Sequence, residues 1–146
     1  MLDVSLTALT MLVQIVTGLV VVNPWHTTDP VDIHEELYCL AINSYHEARG
    51  ETFDDKLATA QVVMNRAESP KFPNDVWYCD GRSDAIHNLD GWEDSVIAAF
   101  LVYTGFGEDI VDGATHYYAH DKVSPSWARR MEVTVRLKGH TYLKER

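Results

Sequence analysis

Positive charge is scarce in this chain: 12 lysines and arginines stand against 22 aspartates and glutamates, a formal net charge of -10 over 146 residues. Nucleic acid is therefore not an expected partner, because binding phosphates takes clustered cations. Cysteine is nearly absent. Cys39 and Cys79 are the only two, neither lies in a C-x-x-C pair, and two thiols alone do not make a zinc site. In a reducing compartment they are two small buried hydrophobes, and in an oxidising one they can close a disulfide. No H-E-x-x-H stretch is present, so the commonest zinc-hydrolase helix is missing. There is no internal repeat and no low-complexity tract. No metal or other cofactor is implied.

What is present is ordinary for a folded globule. The composition is 46% hydrophobic and 23% charged, and the length suits one domain with a core of reasonable size. The charge is uneven. Residues 1–121 hold five Lys/Arg against twenty Asp/Glu, and residues 122–146 hold seven against two. The tail is thus a basic patch on an acidic body, either a solvated strand face or a contact surface for an anionic polymer.

Val4 to Val22 is a nineteen-residue run without a formal charge. As a helix it reaches about 28 Å, close to the roughly 30 Å of a bilayer core. Thr7, Thr10, Gln14 and Thr17 fall on one face, and Leu6, Leu9, Val13, Val16 and Val20 on the other. No Lys or Arg precedes the run, so the usual first region of a signal peptide is lacking. The thirty residues after it contain one basic residue, Arg49, and nothing there holds that side in the cytoplasm. The run is read as an uncleaved signal anchor with the body exported, periplasmic or membrane-tethered. A soluble amphipathic helix packed on the body is the other reading. Asn23 to Pro30 reads as a linker, with two prolines bracketing polar residues.

The body predicts an α+β fold, mainly helical. One helix starts at Asp29-Pro30, carries Ile33, Leu37, Leu40, Ala41 and Ser44 at helical spacing, and ends near Glu47 before Gly50. A second runs from about Phe53 to Arg66, with Leu57, Ala60, Gln61 and Met64 on one face. A third spans about Asp90 to Thr104 and is closed by Gly105. Tyr117-Tyr118-Ala119, Glu132 to Leu137 and His140 to Leu143 are of strand type, with Lys138-Gly139 as a hairpin turn.

Within this frame His46-Glu47-Ala48-Arg49-Gly50-Glu51 stands out. A carboxyl group at the end of an apolar helix, followed by a glycine turn, suits a general acid if apolar neighbours desolvate it. Arg49 works against that, or pairs instead with Glu51 or Asp54. A solvated charge cluster at a helix end is the plainer reading.

Tyr45 to Glu51 resembles the E-A-R-G-E signature of SleB-type cell-wall hydrolases, the family of spore cortex-lytic enzymes and some phage endolysins. Further matches follow in the family's order: Leu57 to Arg66, Ser69 to Val76, Gly113 to Tyr118 and Val123 to Ala128. The resemblance covers about residues 37–143. It implies a lysozyme-like helical domain with a small C-terminal antiparallel sheet over residues 29–146, preceded by the hydrophobic segment and linker 1–28. It also implies cleavage of peptidoglycan between N-acetylmuramic acid and N-acetylglucosamine, as a lytic transglycosylase or muramidase. Glu47 is then the catalytic acid, and Glu51 a helper or a salt-bridge partner. Around the cleft the expected sugar contacts are Asn65, Tyr117, Tyr118, His120 and Trp127. Plain core packing is the alternative for the aromatic residues, and helix capping for Asn65 and Arg66. The resemblance places Cys39 and Cys79 within disulfide reach. A monomer is expected. Two competing classes are kept: a zinc-dependent amidase or peptidase built on His116, His120 and Asp121, and a non-catalytic wall-binding module.

Overall fold

The computed structural model describes residues 30–72, 86 and 88–146. The hydrophobic segment 4–22, the linker and Cys79 lie outside the described residues. Among those described, no helix is long and apolar enough to cross a membrane.

Three helices come first. Helix α1 is Pro30–Glu47, α2 is Phe53–Glu68 and α3 is Leu89–Thr104. Their ends follow local chemistry. Proline at the first position of α1 gives up no needed donor. At α2 the Thr52 hydroxyl accepts from the Asp55 N–H at 3.3 Å, while Asp54 and Asp55 in the first turn and Arg66 in the last suit the helix dipole. At α3, Asn88 accepts from Gly91 N–H at 3.1 Å, and Gly105 takes the left-handed conformation, φ 75°, that ends the helix.

The helices pack through one apolar cluster. Ile33, Leu37, Leu40 and Tyr45 of α1 meet Ala60 and Met64 of α2 and Trp92, Val96 and Tyr103 of α3. Truncating such a residue, Leu40 for example, costs about 2–5 kcal/mol. The sequence predicts a single apolar face on α2, but α2 is buried on two. Ala58 and Val62 form a second cluster with Val111, Ala114 and Tyr142. The reason is its place in the layers: α2 lies between the other helices and the sheet.

The sheet has three strands, β1 His116–Ala119, β2 Met131–Arg136 and β3 His140–Glu145, in the order β1-β3-β2. Both pairings are antiparallel, with Tyr117 opposite Tyr142 on one side of β3 and Arg136 opposite Thr141 on the other. The last strand in sequence is therefore the middle one. A register shift falls between Val133 and Val135. A short 3-10 helix, Ser126–Arg130, precedes β2. Leu137 N–H donates to His140 O at 2.9 Å and closes the β2–β3 hairpin over Lys138-Gly139.

Candidate active site

The E-A-R-G-E spacing has a backbone explanation. Glu47 is the last residue of α1. Ala48 N–H still donates to Ser44 O, and Glu51 N–H donates to Ala48 O, each at 3.0 Å. Gly50 sits between them at φ 76°. The chain thus makes a tight turn whose third residue takes a positive φ, a position best filled by glycine. The two glutamates thus flank one tight turn at the end of a buried helix.

The expected desolvation of Glu47 by apolar neighbours is not found, because Glu47 is exposed. Tyr45 and Ala48 take the inward positions of this last turn, at 1% and 0% exposure. Glu47 is therefore not enclosed in a hydrophobic pocket. Arg49 pairs with neither Glu51 nor Asp54. Its guanidinium lies over the Tyr45 ring, 5.9 Å from the centroid. The Tyr45 hydroxyl accepts from Asn88 N–H at 3.1 Å, and its ring meets Trp92 edge-on.

Glu51 is half-buried and rests against the hairpin tip: a Cβ added to Gly139 would collide with its carboxyl group. The Lys56 ammonium donates to Glu51 O at 3.1 Å. Behind this contact lies Asp55, which is fully buried. Asp55 Oδ2 accepts from Gly139 N–H at 2.9 Å, and Oδ1 accepts from the Tyr142 hydroxyl at 3.1 Å. His140 Nδ1 is 3.4 Å from Oδ1, and the Thr52 hydroxyl donates to Oδ2 at 3.3 Å. A buried carboxylate needs such partners to offset desolvation. Burial, and then Asp55 beside it, push the Tyr142 phenol far above its ordinary range, so it stays a donor.

The remaining predicted contacts separate into two groups. Tyr117 packs inward, its ring near His140 and Tyr142 and under the Arg66 guanidinium. Tyr118 meets Trp127 edge-on at 6.0 Å, and His116 lies between Trp127 and Phe72 at 5.5 and 5.9 Å. Trp127 is 41% exposed and offers a ring face to solvent. His120 ties β3 to the hairpin turn: one ring nitrogen is 3.1 Å from Thr141 Oγ1 and the other 3.1 Å from Lys138 O. Burial, followed by Arg66, lowers the His116 pKa below its ordinary value, with Glu145 opposing.

Asn65 and Arg66 do not cap α2. Asn65 Nδ2 donates to Ala114 O at 2.8 Å and Arg66 Nε to Thr115 O at 2.6 Å, fastening the helix to the segment that leads into β1. His116, His120 and Asp121 do not converge: no group of three or more His, Cys, Asp or Glu side chains placed to hold a metal lies among the described residues. Cys39 is disulfide-bonded.

Two residues of this site, Asp55 and Gly139, are missed by sequence reasoning. The T-x-x-D spacing from Thr52 to Asp55 is a capping signal, and it accounts for only part of what the Asp55 carboxylate does.

The chain is similar to known proteins in sequence and in fold. The model of the Cell Wall Hydrolase family matches residues 50–143, a segment that holds Glu51, Asp55 and Gly139 and begins just after Glu47. Over 43 residues, 30% of this chain, the sequence is 44% identical to a spore cortex-lytic enzyme of Bacillus subtilis. That segment spans 14% of the enzyme's length. The fold is similar to the catalytic domain of the Bacillus cereus SleB protein, with TM-score 0.57 and 21% identity over 75% of this chain and 90% of that one. It is similar also to the catalytic domain of the germination-specific lytic transglycosylase SleB from Bacillus anthracis, with TM-score 0.59 and 24% identity over 75% and 94%. The chain belongs to the Cell Wall Hydrolase family.

Proposed function

We propose that this chain cuts the glycan strand of peptidoglycan between N-acetylmuramic acid and N-acetylglucosamine, with Glu47 as general acid. The observation that carries this reading is the turn itself. It sets an exposed glutamate on the rigid end of a buried helix, and a second carboxylate four residues on, seated against the hairpin tip. Glu47 donates its proton to the glycosidic oxygen as the bond to the muramic anomeric carbon breaks. The muramic 6-hydroxyl or a water then attacks that carbon and returns a proton to Glu47. Attack by the 6-hydroxyl needs no second carboxylate at a fixed separation, which suits a site built around one exposed acid.

Activity on peptidoglycan requires export, and residues 4–22 as a signal anchor belong to the same reading. Mass spectrometry of the fragments released from purified sacculi tests it. Anhydromuramic or reducing muramic ends support the reading and tell its two outcomes apart. Intact glycan strands with cut peptides, lost on adding chelator, would replace it with a metal-dependent amidase or peptidase. Glu47→Gln keeps the shape and removes the proton, and a loss of about 10²- to 10⁴-fold in rate is expected.

A further inference from the structure

Asp55 is fully buried and takes no part in the chemistry proposed above, yet it has the densest set of polar partners in the site. Its Oδ2 holds Gly139 N–H, 84 residues away in sequence. His120 holds the neighbouring carbonyl, Lys138 O, at 3.1 Å. The tip of the β2–β3 hairpin is thus gripped at two consecutive residues by groups from different elements. The buried Gly139 lies so close to Glu51 that an added Cβ would stand 2.7 Å from its Cγ and collide with the carboxyl group. The Lys56 ammonium fixes the backbone of the same glutamate. Glu51 is therefore held by its own carbonyl on one side and by the hairpin tip on the other.

We propose that Asp55 is a positioning residue for Glu51: by holding Gly139 it fixes the hairpin tip as the wall against which the Glu51 carboxylate is aimed into the cleft beside the Glu47 turn. This rests on the glycosidase reading. An oxocarbenium-like transition state carries positive charge, and a carboxylate held in place before the reaction stabilises that charge without having to reorganise. Glu51 then acts on the transition state more than on the bound ground state, so its displacement lowers kcat and leaves KM nearly unchanged.

Gly139→Ala is the decisive variant. Gly139 does not adopt a positive φ, so alanine brings no backbone strain, and the new methyl meets the far end of a flexible side chain. The fold yields at Glu51 and not at the hairpin. In muropeptide release from purified sacculi by the full chain, kcat should fall about 10- to 100-fold, with KM within about twofold and an unchanged melting temperature. Asp55→Asn should lower kcat in the same direction and also lower the melting temperature. Full kcat in Gly139→Ala, or a loss carried by KM, overturns the proposal. If the unaltered chain releases no glycan fragments, the glycosidase reading itself fails. The positioning is then judged by a crystal structure of the Gly139→Ala chain: a Glu51 carboxyl group moved away from the hairpin supports it, and one still in place overturns it.

Discussion

The Tyr142 hydroxyl donates to Asp55 Oδ1 at 3.1 Å inside the protein, joining the middle strand of the sheet to the first turn of α2. Because Asp55 also holds Gly139 N–H, replacing it with alanine leaves that buried donor without an acceptor, while the Tyr142 hydroxyl keeps the backbone carbonyl of residue 55 at 3.2 Å. An orphaned buried donor costs about 1–3 kcal/mol. Asp55→Ala should therefore lose about 1–3 kcal/mol in urea denaturation. Tyr142→Phe, which removes one donor and leaves the carboxylate three other neighbours, should lose less. Equal losses in the two variants would mean that the carboxylate does not organise the network.

Trp127 presents an exposed ring face, with Tyr118 edge-on beside it and His116 behind. Sugar rings bury their apolar C–H faces on such surfaces. With Trp127→Ala we expect KM on sacculi to rise about tenfold, the equivalent of about 1.4 kcal/mol. kcat and the melting temperature should hardly change, since the side chain fills no core cavity. A normal KM would reduce Trp127 to a cover for His116.

The parts of this fold that sequence makes legible are those set by neighbours in the chain. Proline at the start of α1, Gly105 at the end of α3 and Lys138-Gly139 between β2 and β3 mark the element ends, and each follows from local backbone chemistry. Two things could not be read in this way. The central place of β3 depends on pairing with β1, whose residues lie some two dozen positions earlier. Asp55 looks like a helix-start carboxylate, and only its contact 84 residues away shows otherwise. The same cause explains Asn65 and Arg66, whose partners at Ala114 and Thr115 are 49 residues distant. The place of Glu47 at the end of α1 is legible in the sequence, and its exposure is not. The apolar spacing of α1 shows which residues face inward but leaves open how much of the last turn its neighbours cover.

Cys39 on α1 is disulfide-bonded, and the sequence offers Cys79 as its mate. Closing a loop of about forty residues stabilises by up to about 4 kcal/mol in the loop-entropy model. Thiol labelling of the denatured, unreduced protein should find no reactive cysteine, and labelling after reduction should find two. Reduction should also lower the midpoint of denaturation, by an amount that Cys39→Ser reproduces. Two labelled thiols without reductant would exclude the bond in the purified protein.

His116 gives the domain a small acid sensitivity whose sign can be worked out. Burial first and the Arg66 guanidinium second depress its pKa in the folded chain, and Glu145 opposes them. In the pH range between the folded and unfolded values the unfolded chain binds more protons, so stability rises with pH there. The stabilising contribution is complete above the unfolded value near 6.5 and is lost as the pH falls through the lower folded value. The ring is half-exposed, so solvent screening keeps the contribution small. His116→Phe keeps a ring between Phe72 and Trp127 but cannot titrate. Denaturation midpoints at pH 7.5 and 5.5 should therefore differ less in the variant than in the unaltered chain. Arg66→Gln should give an intermediate difference, because it removes only the second cause. A variant His116→Phe whose midpoint falls as steeply as that of the unaltered chain would assign the acid sensitivity to the carboxylates instead.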